Sequence, residues 1–321
     1  AALHLALMSF DVGPGDEVIV ADYTYPATGH SVLFTGGTPV FADIRPDIWC
    51  VDPDAVAAAI TPRTVGVIAV DVAGQCADYT ELRAITDRAG LFLIEDGACS
   101  IGATYQGKPS GHPSFADIAA FSFHGRKGIT CGEGGIVSTN DERRAQQMRR
   151  RASFGTESAL SRQGSNELPI PVFTELGYNY KLSDISAAIA LVQLGKIDQL
   201  LAARRHAAAR YSEQFAGSEL ITPPVTGADR DHTWQSYILT LAPGIDRGAV
   251  AMALRARGVG ANIGTYASHR EPVYPNAAVC PVSADVFARS MAIPMHANLT
   301  DDEIDYVVSC VTTAVADAAS R

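Results

Sequence analysis

Four apolar runs recur along the first hundred residues, at Glu17 to Ala21, Pro39 to Ile44, Thr64 to Asp71 and Leu91 to Ala98. None keeps the strict apolar–polar alternation of a strand with one wet face. Runs of this kind are buried on both sides, the condition of a parallel sheet. Helical segments near Pro53 to Ile60 and Tyr79 to Ala89 separate them. The alternation therefore predicts an α/β fold, a mainly parallel sheet flanked by helices. With 321 residues, 47% of them hydrophobic, the chain has material for a large domain and a smaller one.

Ligands of open α/β sheets sit outside the carboxyl ends of the strands. The run LFLIEDGA places Asp96 at such an end. A carboxylate there either caps the next helix or serves a ligand. Ala119 to Thr139, AAFSFHGRKGITCGEGGIVST, reads as a strand, a polar turn holding Lys127, a glycine cluster and a second strand. Only Lys108, Lys127, Lys181 and Lys196 are lysines among the 25 basic residues, so arginine supplies charge wherever charge alone is needed. A desolvated lysine amine can lose its proton and attack a carbonyl, which a guanidinium cannot do. A lysine that forms a Schiff base, joined to an acid that keeps a pyridine nitrogen protonated, is the signature of pyridoxal phosphate (PLP) chemistry.

The blocks AALHLAL, VGPGDEVIV, YTYPAT, GGTPVFADI, ITPRTVGVI, IEDGACSIGATYQGK, FSFHGRKGITCGEGGIVSTND and LGYNYKLSDISAAIALVQL stand in this order. Together they resemble the DegT/DnrJ/EryC1/StrS family, PLP-dependent aminotransferases of fold type I that mostly aminate nucleotide-linked keto sugars. The resemblance extends from Ala1 to about residue 300. It implies that Lys127 carries the cofactor, that Asp96 holds the pyridine nitrogen and that Tyr25 stacks on the ring. Ser122, five residues before the lysine, would bind the phosphate. Cys99 stands where the family commonly has Gln, Glu, His or Cys near the cofactor hydroxyl; a small buried filler is the alternative. Some relatives have histidine instead of the lysine and dehydrate C3 of a keto sugar, but here His124 lies elsewhere and the lysine is kept.

The chain opens in a helix, Leu3 to Met8, without an initial Met. The resemblance implies a Gly-Ser/Thr-x-Ala phosphate turn just before it, ending at Ala1, with an N-terminal segment missing ahead of it. GYNYKL, at 177 to 182, precedes a helix with Ser183 as candidate N-cap. In the family this motif crosses a dimer interface to the neighbour's phosphate, a role open to Asn179 and Lys181, so a homodimer with shared active sites is implied. GANIGTYASHREPVY resembles the substrate-side loop and makes His269 the candidate sugar or nucleotide contact. The arginines of Asp141 to Asn166 form a solvated face or meet a nucleotide diphosphate.

The domains are expected at residues 1–200, a large PLP-binding α/β domain, and 201–321, a small α+β domain. A net charge of -10 speaks against a general nucleic-acid binder. Six dispersed cysteines without a CxxC pair point to a reducing, cytoplasmic compartment and to no metal centre. No run approaches a membrane span, and GxGxxG follows no strand. The expected activity is transfer of an amino group from glutamate or glutamine to a keto sugar, in polysaccharide or secondary-metabolite synthesis. A cyclitol aminotransferase, a PLP-dependent sugar dehydratase and an inactive PLP-fold regulator are the alternatives.

Overall fold

The computed structural model describes residues 1–156 and 171–320. Its frame is a six-stranded sheet in the order Thr38–Ala42, Glu17–Ala21, Thr64–Val70, Phe92–Asp96, Ile118–Ser122, Gly135–Ser138. The first five strands run parallel, and the last turns back antiparallel onto Ile118–Ser122. That reversal puts the loop holding Lys127 at the carboxyl edge of the sheet, where Asp96 also ends its strand.

Side chains alternate across a strand, and the two faces of this sheet feed two different cores. Ile19, Ala21, Val67, Ala69 and Leu93 pack on one side with Val56 and Leu82 of the helices Pro53–Ala59 and Tyr79–Ala89. Val18, Val20, Ile68, Phe92, Ile94 and Ile118 pack on the other with Leu5 and Leu7 of the helix Ala2–Ser9. The unbroken apolar runs follow from this double burial. Local chemistry sets the ends of the helices. Asp52 caps Pro53–Ala59 by accepting from the Asp54 N–H, with proline as the first helical residue. Gly90, at φ 68°, closes Tyr79–Ala89 in the left-handed conformation.

The C-terminal part is a smaller α+β layer. Ile221–Thr222, Tyr237–Leu241, Ser290–Ile293 and Asn262–Ile263 form an antiparallel sheet in that order. Helices Ile197–Phe215, Arg247–Ala256 and Asp301–Ala319 share its core through Tyr211, Leu254 and Val311. Thr300 and Glu303 form a reciprocal capping box at the start of the last helix. The strand Tyr266–Ala267 pairs with Tyr23–Thr24 and ties the small layer to the large sheet.

The expected boundary at residue 200 falls inside the helix Ile197–Phe215. Ile197 and Leu201 of its first turns press on Gly102, whereas Ala207, Ala208, Tyr211 and Phe215 belong to the small core. No glycine or proline interrupts the helix, so it bridges the layers instead of linking them loosely. Among the described residues no single helix is long and apolar enough to cross a membrane.

Candidate active site

Asp96 ends the strand Phe92–Asp96, between Val70 and Ala120 of its neighbours. Its carboxylate is almost wholly buried. One oxygen accepts the Thr28 hydroxyl at 2.7 Å and the other the Ala98 N–H at 3.2 Å. Burial pushes this carboxyl above its ordinary range, while the Thr28 bond and the charge of Lys127 pull it back down. Asp96 has no ion pair among the described residues. A buried carboxylate in that condition is stabilised by any cation brought against it, and a protonated pyridine nitrogen is one.

Lys127 closes a turn whose N–H donates to the His124 carbonyl at 2.9 Å. Phe123, Ile129 and Cys131 anchor that turn in a small apolar cluster with Ile101, Leu182 and Ile197. The half-buried amine donates to the Cys99 thiol at 3.2 Å. Burial raises the Cys99 thiol and the lysine lowers it, with burial the larger effect. The pair is therefore an amine beside a protonated thiol, two groups that turn toward the same space from neighbouring strand ends.

Ser122 stands at the carboxyl end of its strand, half-buried, its hydroxyl accepting the His124 N–H at 3.3 Å. Tyr25 is 67% exposed, its ring edge-on to Tyr266 at 5.9 Å, three residues before the Thr28 that binds Asp96. Its faces are thus open to a planar ligand. Ala1 is exposed at the start of the first helix and accepts the Leu5 N–H.

Three expected residues are not drawn into this cluster. Asn179 and Lys181 are exposed and bond to each other at 2.7 Å, and the lysine ammonium lies over the Phe154 ring at 4.3 Å. His269 is no open loop side chain: its Nδ1 pairs with Asp22 at 2.7 Å, and both side chains are buried. Asp22 also accepts the His269 backbone N–H and the Ser283 hydroxyl, which commits its oxygens to holding the loop. In the arginine-rich segment, Arg150 and Arg151 pair with Glu175, while Arg162 lies outside the described residues.

Thr28 is the residue that the sequence reading passed over. It closes the YTYPAT block, one helical turn beyond Tyr25, and that spacing was the available signal.

Comparison with known proteins bears on the chain as a whole. The DegT/DnrJ/EryC1/StrS aminotransferase family matches residues 1–312. The chain belongs to that family. A GDP-perosamine synthase of Caulobacter vibrioides is 37% identical over 316 residues, 97% of this chain and 82% of the relative. Spr1654 of Streptococcus pneumoniae, a candidate sugar aminotransferase solved with pyridoxamine phosphate, superposes with a TM-score of 0.92 at 29% identity, over 99% of this chain and 86% of its own. Helicobacter pylori PseC, an aminotransferase involved in the biosynthesis of pseudoaminic acid, does so with a TM-score of 0.90 at 25% identity, over 98% and 85%. Spr1654 has also been solved with PLP. The chain is a PLP-dependent aminotransferase of fold type I. A buried carboxylate without an ion pair among the described residues and a half-buried lysine amine fit that cofactor chemically.

Proposed function

We propose that this aminotransferase moves an amino group from glutamate or glutamine to a keto sugar carried on a nucleotide diphosphate. The observation that carries the reading is the Lys127 amine held against Cys99, close enough for its charge to act on the buried Asp96 carboxylate at the sheet's carboxyl edge, in a chain 37% identical to a GDP-perosamine synthase. PLP, when bound, supplies the electron sink that makes a proton on the carbon next to nitrogen removable.

The protein's own groups do the rest. Asp96 would hold the ring nitrogen protonated, Tyr25 would offer the ring its open face, and Ser122 with the N-terminus of the first helix, at Ala1, would bind the phosphate. Lys127 would hold the cofactor through its amine, and the freed Nζ would be the general acid and base for the proton on the substrate carbon next to nitrogen. Cys99 sits against that amine as an uncharged neighbour.

The reading includes a homodimer. The helix Asp184–Leu194 is apolar and buries none of its residues, with Ile185 77% and Leu191 71% exposed. Such a face in water calls for a partner, and a second copy satisfies it by symmetry. Asn179 and Lys181, next to this helix, would then reach the neighbour's phosphate, and His269, fixed by Asp22, would line the sugar side. A cytoplasmic setting goes with the six free cysteines.

The test is an absorbance spectrum of the protein with PLP before and after glutamate or glutamine, with borohydride-trapped peptide mapped by mass spectrometry. The expected result is a visible band, a label on Lys127 and conversion to pyridoxamine phosphate, followed by turnover with a nucleotide-linked keto sugar from a panel that begins with GDP-linked ones. Turnover that survives Lys127→Ala would overturn the mechanism.

A further inference from the structure

The backbone holds a strained pair far apart in sequence. Ala73 and Trp234 both have positive φ, 56° and 54°, a region that residues with a Cβ occupy at a cost. The two segments are stitched to each other. Thr233 N–H donates to the Gly74 carbonyl at 3.0 Å, and Gln235 N–H to the Ala73 carbonyl at 3.0 Å. A Cβ on Gly74 would meet the Thr233 hydroxyl at 1.9 Å, so only glycine lets the two approach.

Several groups are dedicated to holding this turn. His232, buried and shifted down to about 3 by desolvation, stays neutral and accepts the Trp234 N–H on Nδ1 at 2.8 Å. Arg204, from the bridging helix, is 7% exposed and has no carboxylate partner among the described residues. Its guanidinium donates instead to the carbonyls of Trp234 and Gln235 at 2.9 and 3.2 Å. A buried cation spent on two backbone carbonyls signals that their position matters.

What the turn delivers lies at the active site. The Thr233 hydroxyl donates to the Cys99 carbonyl at 2.8 Å. The Ser236 hydroxyl donates to the Gln235 amide oxygen at 3.0 Å, which leaves Nε2 to donate to the Arg126 carbonyl, also at 3.0 Å. Arg126 is the residue before Lys127, inside the His124–Lys127 turn. The small layer thus grips both partners of the Lys127–Cys99 contact, one through Thr233 and one through Gln235.

We infer that Gln235 is a positioning residue for Lys127: from the strained His232–Ser236 turn, its side-chain amide holds the lysine's loop and sets the amine against Cys99. The inference rests on the reading of Lys127 as the cofactor lysine. It adds a dependence of that lysine on the C-terminal layer through one hydrogen bond. Without the bond, the loop keeps its apolar anchors, Phe123 and Ile129, but the amine loses its fixed bearing.

The experiment compares Gln235→Leu, Gln235→Glu, which keeps the shape but removes the donor, and Gln235→His, which restores one. In the PLP-free protein, labelling of Lys127 by an amine-acylating reagent is read by mass spectrometry against the exposed Lys108. In the loaded enzyme, the donor half-reaction is read as kcat and KM separately, beside the melting temperature. Gln235→Leu and Gln235→Glu are expected to change the Lys127 to Lys108 labelling ratio and to lower kcat roughly three- to tenfold, the range of one neutral hydrogen bond. KM and melting should move little, and Gln235→His should recover part of the loss. A labelling ratio and kcat within twofold of wild type would overturn the inference, as would losses that track the melting temperature in all three variants. If the borohydride label lies on another lysine, the functional reading fails by itself, because the labelling ratio of the PLP-free protein does not depend on it.

Discussion

Thr28 donates its hydroxyl to the Asp96 carboxylate at 2.7 Å, reaching from a helix entry to a strand end 68 residues away. The bond favours the charged form of an acid that burial would otherwise neutralise. Thr28→Val keeps the shape and removes the donor, and Asp96 retains the Ala98 N–H. Hydrogen bonds to charged groups contribute about 1.5 to 3 kcal/mol, so PLP affinity should fall by roughly ten- to a hundredfold. Titration with PLP, followed by visible absorbance, measures this, and an unchanged Kd would remove Thr28 from the site.

Behind Asp96, on the other face of the same strand, Glu95 is fully buried beside Asp71. Glu95 accepts the Gly111 N–H at 2.9 and 3.0 Å and the Ser110 hydroxyl. Asp71 accepts the Ala77 N–H and the Tyr79 hydroxyl on one oxygen, while the other has no donor. Burial first, and then repulsion by Asp71, push Glu95 well above its ordinary value of 4.5. The folded state therefore holds a proton that the unfolded chain releases above about pH 4.5. The stability of this arrangement is complete below that pH and is lost as pH rises toward the folded value. Glu95→Gln carries its own N–H to the orphaned Asp71 oxygen and does not titrate. Urea midpoints from pH 5 to 8 should fall for the wild type and fall less steeply for the variant; parallel slopes would reject the proton on Glu95.

The parts of this molecule that could be read from sequence are those with a short period or a fixed local spacing. The strands at Glu17, Thr64 and Leu91, the cap at Ser183 and the loop of Lys127 all declare themselves within a few residues. The Thr28–Asp96, Gln235–Arg126 and Asp22–His269 bonds join positions 68, 109 and 247 residues apart. No pattern along the chain encodes such pairs, because each partner is an ordinary polar residue until the fold brings the other to it. His269 illustrates this: the resemblance made it a candidate substrate contact, and its pairing with the distant Asp22 could not be read from the loop. The bridging helix Ile197–Phe215 hid the layer boundary for a related reason, since a continuous helical period carries no mark where its neighbours change.

Gly66 lies in the strand Thr64–Val70, where a Cβ would meet the Phe92 ring at 2.1 Å. That ring stacks on Phe10 at 4.2 Å and fixes the first helix region against the sheet, so it has little room to withdraw. Overpacking of this kind costs about 1 to 3 kcal/mol. Gly66→Ala should lower the melting temperature by several degrees, and adding Phe92→Leu should restore part of it. Additive losses in the double variant would place the damage elsewhere.

Asn179 and Lys127 lie on different parts of one chain, and the homodimer reading makes them meet across two. Ile185→Asp and Leu191→Asp on the exposed helix should then convert the protein to monomer in sedimentation and abolish turnover together. Mixing separates a shared site from mere association. Lys127→Ala and Asn179→Ala chains, each inactive alone at limiting PLP, are unfolded and refolded together. Random pairing makes half of the dimers hybrid, and each hybrid holds one site with both residues intact. About a quarter of wild-type activity should return, the yield of one good site in two on half of the dimers. If Asn179 serves the cofactor of its own chain, every site in the hybrid lacks one residue or the other and no activity returns.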